Sequence, residues 1–189
     1  MPFMKIPRQF LAIALLLLIP SLSFAAGLPP WQFGMTKEQV ASFKQFGPYK
    51  SFKNGDLETY NGIFRAHKEN VQFFFRNGRL VRIGVYLYEG EDKQKAAAMF
   101  TRVYRFLEKE YGRIVVPEIH VAKGSEPVSA EVLGIAAMGE SVATGRTEMA
   151  PAKQPRDVRV FARVMHPIAR PGDFAVAVFF DPPGGADQF

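Results

Sequence analysis

Three histidines, one serine and a set of arginines are the residues whose chemistry needs weighing first. His67, His120 and His166 are scattered, with no pair four residues apart and no H-E-x-x-H. The spacing that sets two imidazoles on one helix face for zinc is therefore missing. No metal or other cofactor is expected. Gly139-Glu-Ser-Val-Ala143 has the outline of a nucleophile elbow, in which a serine sits on a tight strand-to-helix turn between small residues. Ala143 replaces the second glycine, and the segment reads as a loop. Ser141 is then a small residue in a flexible stretch, and the chain reads as a non-enzyme. Gly139 to Thr147 partly matches a phosphate loop. That loop needs G-x-x-x-x-G-K-[ST], so that amides and a lysine converge on phosphates. Here the spacing is one residue too long, and Arg146 stands where lysine is required.

The remaining constellation is basic and aromatic. Arg76, Arg79, Arg82, Tyr86 and Tyr88 lie on or beside one hairpin, and Arg159 and Arg163 share a face of a later strand with Phe161 between them. Were these strands neighbours, arginines would stand among aromatic rings. Guanidinium groups pair with carboxylates at two points and stack on rings. Such a face suits an anionic ligand or the acidic loop of a partner. The ordinary alternative is a solvated sheet face whose long side chains cover apolar surface.

The elements that must position these residues are legible in most of the chain. Phe33-Gly-Met-Thr-Lys-Glu-Gln-Val40 is a helix start: Thr36 as N-cap, Gln39 completing a capping box, Met35 and Val40 forming a hydrophobic staple. A short helix over 37–46 follows, stopped by Gly47-Pro48. Trp31, the only tryptophan, belongs to an arm that packs onto the domain. From Tyr49 to Tyr88 the pattern is that of strands. Asn54-Gly55, Asn61-Gly62 and Asn77-Gly78 suit type I′ turns, since Asn tolerates positive φ and Gly has no Cβ; Asn61-Gly62 is a turn or a bulge. Val71–Arg76 and Arg79–Tyr88 form a hairpin, with Val81, Ile83, Val85 and Leu87 on one face and Arg82, Gly84, Tyr86 and Tyr88 on the other.

Glu91–Tyr111 is the one long helix, its stripe carried by Ala96, Phe100, Val103 and Leu107, and Gly112 ends it. Arg113–Pro117 reads as a short strand. Val128–Met138 is apolar, and helix and strand both fit it. Residues 139–156 read as a mobile loop, being rich in Gly, Ala, Thr and Pro. Val158–Met165 and Phe174–Phe180 are strands, the second apolar on both faces and so central. Residues 182–189 form a loose tail. Helix followed by strands occurs twice, which hints at two α-then-β units. The expected fold is a single α+β domain over 26–189, with helices packed on one face of an antiparallel sheet.

The first residues have the order that export requires. Lys5 and Arg8 precede an apolar run, Phe10–Ile19, broken by Pro20, and small residues follow. Ser23 and Ala25 suit a signal-peptidase site, so Met1–Ala25 reads as a cleavable signal peptide. The run is about half of the roughly 20 residues that span a bilayer. Removing 25 of 189 residues leaves 164, and losing Lys5 and Arg8 takes the formal charge from +6 to +4. There is no cysteine, which excludes disulfides, thiol catalysis and a lipoprotein anchor. The expected location is periplasmic or secreted, with no membrane span after cleavage and no nucleic-acid partner.

The Phe-Gly-Met-Thr-Lys-Glu-Gln-Val segment, residues 33–40, resembles the opening of uncharacterised exported bacterial proteins. It is similar also to the Gly-Met-Thr-x-x-x-Val opening of the SmpA/OmlA type of β-barrel-assembly lipoprotein, in the β-lactamase-inhibitor-like group. This chain differs in lacking the lipid-bearing cysteine and in its long C-terminal half. The resemblance implies helices on an antiparallel sheet and a role through protein contacts, not catalysis. The expected function is that of an exported interaction protein binding an envelope protein or an anionic ligand. Two alternatives stay open: a small-molecule carrier with an apolar pocket between sheet and long helix, and an enzyme of unrecognised type using Ser141 or a histidine–carboxylate pair.

Overall fold

Turn chemistry decides how the strands are joined. In the computed structural model, which describes residues 28–120, 128–167, 170 and 172–184, Asn77 and Gly78 have φ of 50° and 72°. They close the hairpin between β3 (His67–Arg76) and β4 (Arg79–Gly90). Both central residues are left-handed, as a type I′ turn demands. The other Asn-Gly pairs do different work. Asn61-Gly62 is a bulge inside β2 (Leu57–Phe64), where the register shifts between Thr59 and Gly62. The β2–β3 turn falls instead on Arg65 and Ala66, with φ of 49° and 66°. At Asn54-Gly55 only Gly55 has positive φ, and its amide donates to the Phe52 carbonyl. β1 is Lys50–Ser51.

The helix start is built as its sequence dictates. The Thr36 hydroxyl accepts from the Gln39 amide and the Gln39 side chain accepts from the Thr36 amide. The α-helix α1 spans only Lys37–Ala41, and a 3-10 turn over Lys44–Phe46 completes the segment. The arm before it is packed: Trp31 is fully buried, with ring centres of Phe46 and Phe73 each 4.8 Å away. The long helix, α2, is Lys93–Tyr111, capped by the Asp92 carboxylate. It buries Ala96, Phe100, Val103 and Leu107.

β5 is Ile114–Val115, and the undecided apolar segment is a helix, α3, over Ala130–Thr144. Residues 139–156 are not one loop. Gly139–Thr144 finish α3, Gly145 turns the chain with φ of +84°, and Arg146–Pro151 form β6. Of the residues over 139–145 only Ser141 is buried; the chain is tied down just beyond them, where the Thr147 hydroxyl donates to the Ala137 carbonyl. β7 is Arg159–Met165 and β8 is Phe174–Asp181.

Among the described residues, eight strands join one antiparallel sheet in the order β1-β2-β3-β4-β8-β7-β6-β5. With α1, α2 and α3 this makes an α+β protein. β8 lies between β4 and β7 and is buried along its whole length. Its alternate residues enter two clusters. Phe174, Val176, Val178 and Phe180 pack with Phe100 and Leu107 of α2 and Met138 of α3 in the main core. Ala177 and Phe179 join Phe161 in a smaller cluster, with Phe74, Tyr86, Ala150 and Met165 against it. Of the tail, residues 185–189 lie outside the described residues, as does the leader.

Candidate functional site

The smaller cluster is where the basic and aromatic residues meet, and register explains how. Four strands lie side by side, β4, β8, β7 and β6. Gly84 faces Phe179, which faces Phe161. These two rings stack at 5.2 Å with their planes 18° apart. A Cβ on Gly84 would stand 2.9 Å from the Phe179 ring, so glycine here is what lets that ring lie flat across β4. In the next row Tyr86 faces Ala177, Ala177 faces Arg163, and Arg163 faces Glu148. On the other side of the rings Arg159 faces Asp181.

Side chains close an alternating ladder of charge over these rings. Arg82 Nε and Nη2 donate to Asp181 Oδ1 and Oδ2 at 2.7 and 2.8 Å. Arg159 Nη1 donates to Asp181 Oδ2 at 3.4 Å and its Nη2 to Glu148 Oε1 at 2.9 Å. Arg163 Nε donates to Glu148 Oε2 at 2.7 Å. All three guanidinium carbons lie over the Phe161 ring, at 5.2, 4.2 and 4.7 Å from its centre for Arg82, Arg159 and Arg163. Among the described residues the ladder sets three cations on two carboxylates. Low local dielectric strengthens each of these contacts and raises the penalty for any charge left unpaired.

Burial pulls the Arg163 guanidinium below the usual arginine range; the Glu148 carboxylate opposes that shift, and Arg146 and Arg82 add to it. Burial likewise pushes the Tyr86 hydroxyl up to about 12, with Glu89 assisting. Beside Tyr86, Asn70 donates to Glu89 while its own Oδ1 is buried without a hydrogen-bond partner.

Of the arginines and tyrosines singled out in the sequence, the structure brings Arg82, Arg159, Arg163 and Tyr86 to this cluster. Arg76 and Arg79 face each other at the hairpin turn, where Arg79 donates to the Gly34 carbonyl. Tyr88 departs from the expected face. A register shift between Tyr86 and Tyr88 turns its ring onto the main core, and its hydroxyl bonds the Asp92 backbone. A second shift, between Phe74 and Phe75, puts Leu80 rather than Val81 in that core. Glu148 and Asp181 join this face without being singled out in the sequence, and Arg146 joins it in a role other than that of a phosphate-loop residue. The signal for two of them was present: in Arg-Thr-Glu-Met-Ala-Pro, residues 146–151, charged and apolar positions alternate with the period of a strand.

Ser141 lies inside α3, fully buried. Its hydroxyl donates to the Met138 carbonyl at 3.1 Å and stands 3.4 Å from His166 Nε2. His166 Nδ1 donates to the Asp173 carbonyl at 3.0 Å. This is a polar fastening between α3 and the β7–β8 connection, not an elbow. Among the described residues no group of three or more His, Asp or Glu is placed to hold a metal ion. A cleft between the sheet and α2, of about 240 Å³, is lined by apolar Phe64, Leu87 and Phe106 but also by Arg65, Glu69 and Arg102. No helix among the described residues is long and apolar enough to cross a membrane. Comparison with family models, with curated proteins and with solved structures finds no match to this chain.

Proposed function

We propose that this chain is an exported interaction protein, binding an envelope protein or an anionic ligand through the sheet face that carries Phe161 and Phe179. On this reading Met1–Ala25 is removed on export, the product works in the periplasm or outside the cell, and the helices cover the opposite face of the sheet. The observation that carries it is the excess of cations in the ladder, three guanidinium groups on two carboxylates above a stacked ring pair. Arg159 and Arg163 are each about a fifth exposed (22% and 17%), which leaves part of each guanidinium in reach of a partner. Charge-assisted, planar recognition by arginine gives geometry as well as energy. The opening segment, residues 33–40, adds the resemblance to envelope proteins that act by contact.

The test has two arms. N-terminal sequencing of protein released by an expressing bacterium is expected to start at Ala26. Envelope extract passed over the immobilised protein at physiological salt is expected to leave partners that an R159E/R163E variant fails to retain. The same proteins on both columns would sink the sheet-face reading.

A further inference from the structure

The charge along the ladder is graded, and the gradient indicates where an incoming anion docks. Resting on the sheet-face reading above, the series runs Arg82, Asp181, Arg159, Glu148, Arg163, Arg146. Arg82 lies against both oxygens of Asp181, and its side chain is only 7% exposed. Arg159 touches both carboxylates. Arg163 is bonded through Nε alone, to one oxygen of Glu148. Arg146 is exposed. It is two residues before Glu148 on β6 and so on the same face. Its register partner is Met165, two residues beyond Arg163 on β7. Arg146 and Arg163 are therefore diagonal neighbours, a separation of about 7–8 Å between backbones that long side chains close readily. Arg146 is among the charges that depress Arg163.

Every other neighbouring pair of cations in the series has a carboxylate between its members: Asp181 between Arg82 and Arg159, Glu148 between Arg159 and Arg163. Arg163 and Arg146 follow one another directly. The nearby Glu118 carboxylate is committed to the edge of β6, where it accepts from the Glu148 amide at 3.3 Å. We infer that Arg163 and Arg146 together recognise a carboxylate side chain of a partner protein, an acidic segment laid along β6 and β7. The Phe161 ring, 4.7 Å from the Arg163 guanidinium carbon, backs the contact. The two internal carboxylates argue for this chemistry: each accepts from two guanidinium groups at hydrogen-bond distance, Asp181 from Arg82 and Arg159 and Glu148 from Arg159 and Arg163, and two arginines again stand as neighbours one step further along.

The test is a titration of isotope-labelled protein, purified as the cell processes it, followed by amide chemical shifts. The probes are a Glu–Ser repeat peptide, its Gln–Ser counterpart, inorganic phosphate, and phosphatidylglycerol vesicles. The acidic peptide alone is expected to shift resonances at 146–148 and 163–165. Arg146→Glu and Arg163→Gln are each expected to weaken it about ten-fold or more. Arg113→Glu, an equal charge change elsewhere, is expected to leave it within about two-fold. Peptide binding that survives R146E, with shifts centred on Arg82 and Tyr86, would overturn the Arg163–Arg146 site and leave the sheet-face reading standing. Tighter binding of phosphate or vesicles would overturn the carboxylate assignment. No shift on this face with any probe would remove both.

Discussion

Arg82 and Asp181 form the most deeply buried ion pair of the ladder, with side-chain exposures of 7% and 0%. Their value depends on both being present. Burying a lone guanidinium costs far more than the pair contributes. Asp181→Ala is accordingly expected to destabilise the fold by about 3–5 kcal/mol, read from urea denaturation; a loss under about 1 kcal/mol would show that water reaches Arg82 freely. Tyr86 makes a pH-dependent contribution of opposite sign to the usual acid case. Its folded value, about 12, lies above the 10.0 of a free tyrosine. Below the lower value both states are protonated and folding gains fully. Above it the unfolded chain releases a proton that the folded chain retains, so stability falls as pH rises from about 10 to about 12. Several other tyrosines are also shifted upward by burial, so the comparison must be made against a variant. Tyr86→Phe is expected to flatten part of this fall in denaturation curves taken across that window. An unchanged slope would place the hydroxyl in water.

At the scale of elements, α3 is the segment whose position most depends on close approach. It is apolar nearly all round, burying Leu133, Ala137 and Met138 while leaving Val132, Ile135 and Val142 exposed at 55%, 67% and 61%. Its contact with α2 turns on Gly134. A Cβ there would stand 2.3 Å from Thr101 Oγ1 and 2.9 Å from the Ala97 carbonyl oxygen. The second of these is backbone and cannot swing away, and the Thr101 hydroxyl already donates to the Ala130 carbonyl. Gly134→Ala must therefore move one helix off the other. Although alanine favours helix by up to about 1 kcal/mol, overpacking is expected to dominate, with a net loss of about 1–3 kcal/mol in stability. A gain in melting temperature would contradict the helix–helix contact. The β6 edge depends on the same helix, since Gly145 ends α3 and the Thr144 hydroxyl donates to the Arg146 carbonyl.

For the molecule as a whole, the strand order describes two four-stranded meanders, β1–β4 and β5–β8, that meet through their last strands. β4 and β8 pair antiparallel from Ile83–Phe180 to Gly90–Phe174. The charge ladder straddles that seam, since Arg82 comes from one meander and Asp181, Arg159, Glu148 and Arg163 from the other. Neither half completes it alone. A fragment ending at Gly112 would leave β4 as an edge strand with Ile83 and Val85, both fully buried in the intact chain, without their β8 cover. Such long apolar edges invite aggregation. The fragment is expected to show no cooperative unfolding transition by circular dichroism. A sharp two-state transition would mean that each meander holds its own core.

Local rules account for the parts of the chain that sequence alone determined. The capping box at Thr36, the Asn77-Gly78 turn, the stripe of α2 and the doubly apolar β8 each follow from interactions within a few residues, and each is present. The residues that complete the candidate site follow from contacts across the chain. Arg82 meets Asp181 at a separation of 99 residues, and bulges at Phe74–Phe75 and Tyr86–Tyr88 decide which side chains stay on that face. A bulge changes face by one residue and leaves little compositional trace. Small residues at 139–145 look like a loop when read locally, because composition alone does not say whether such a stretch continues a helix, as 139–144 do here. Only tertiary packing decides it, since Ala137 and Met138 of α3 are held in a core shared with Phe100 and Val176, which lie far away in the sequence.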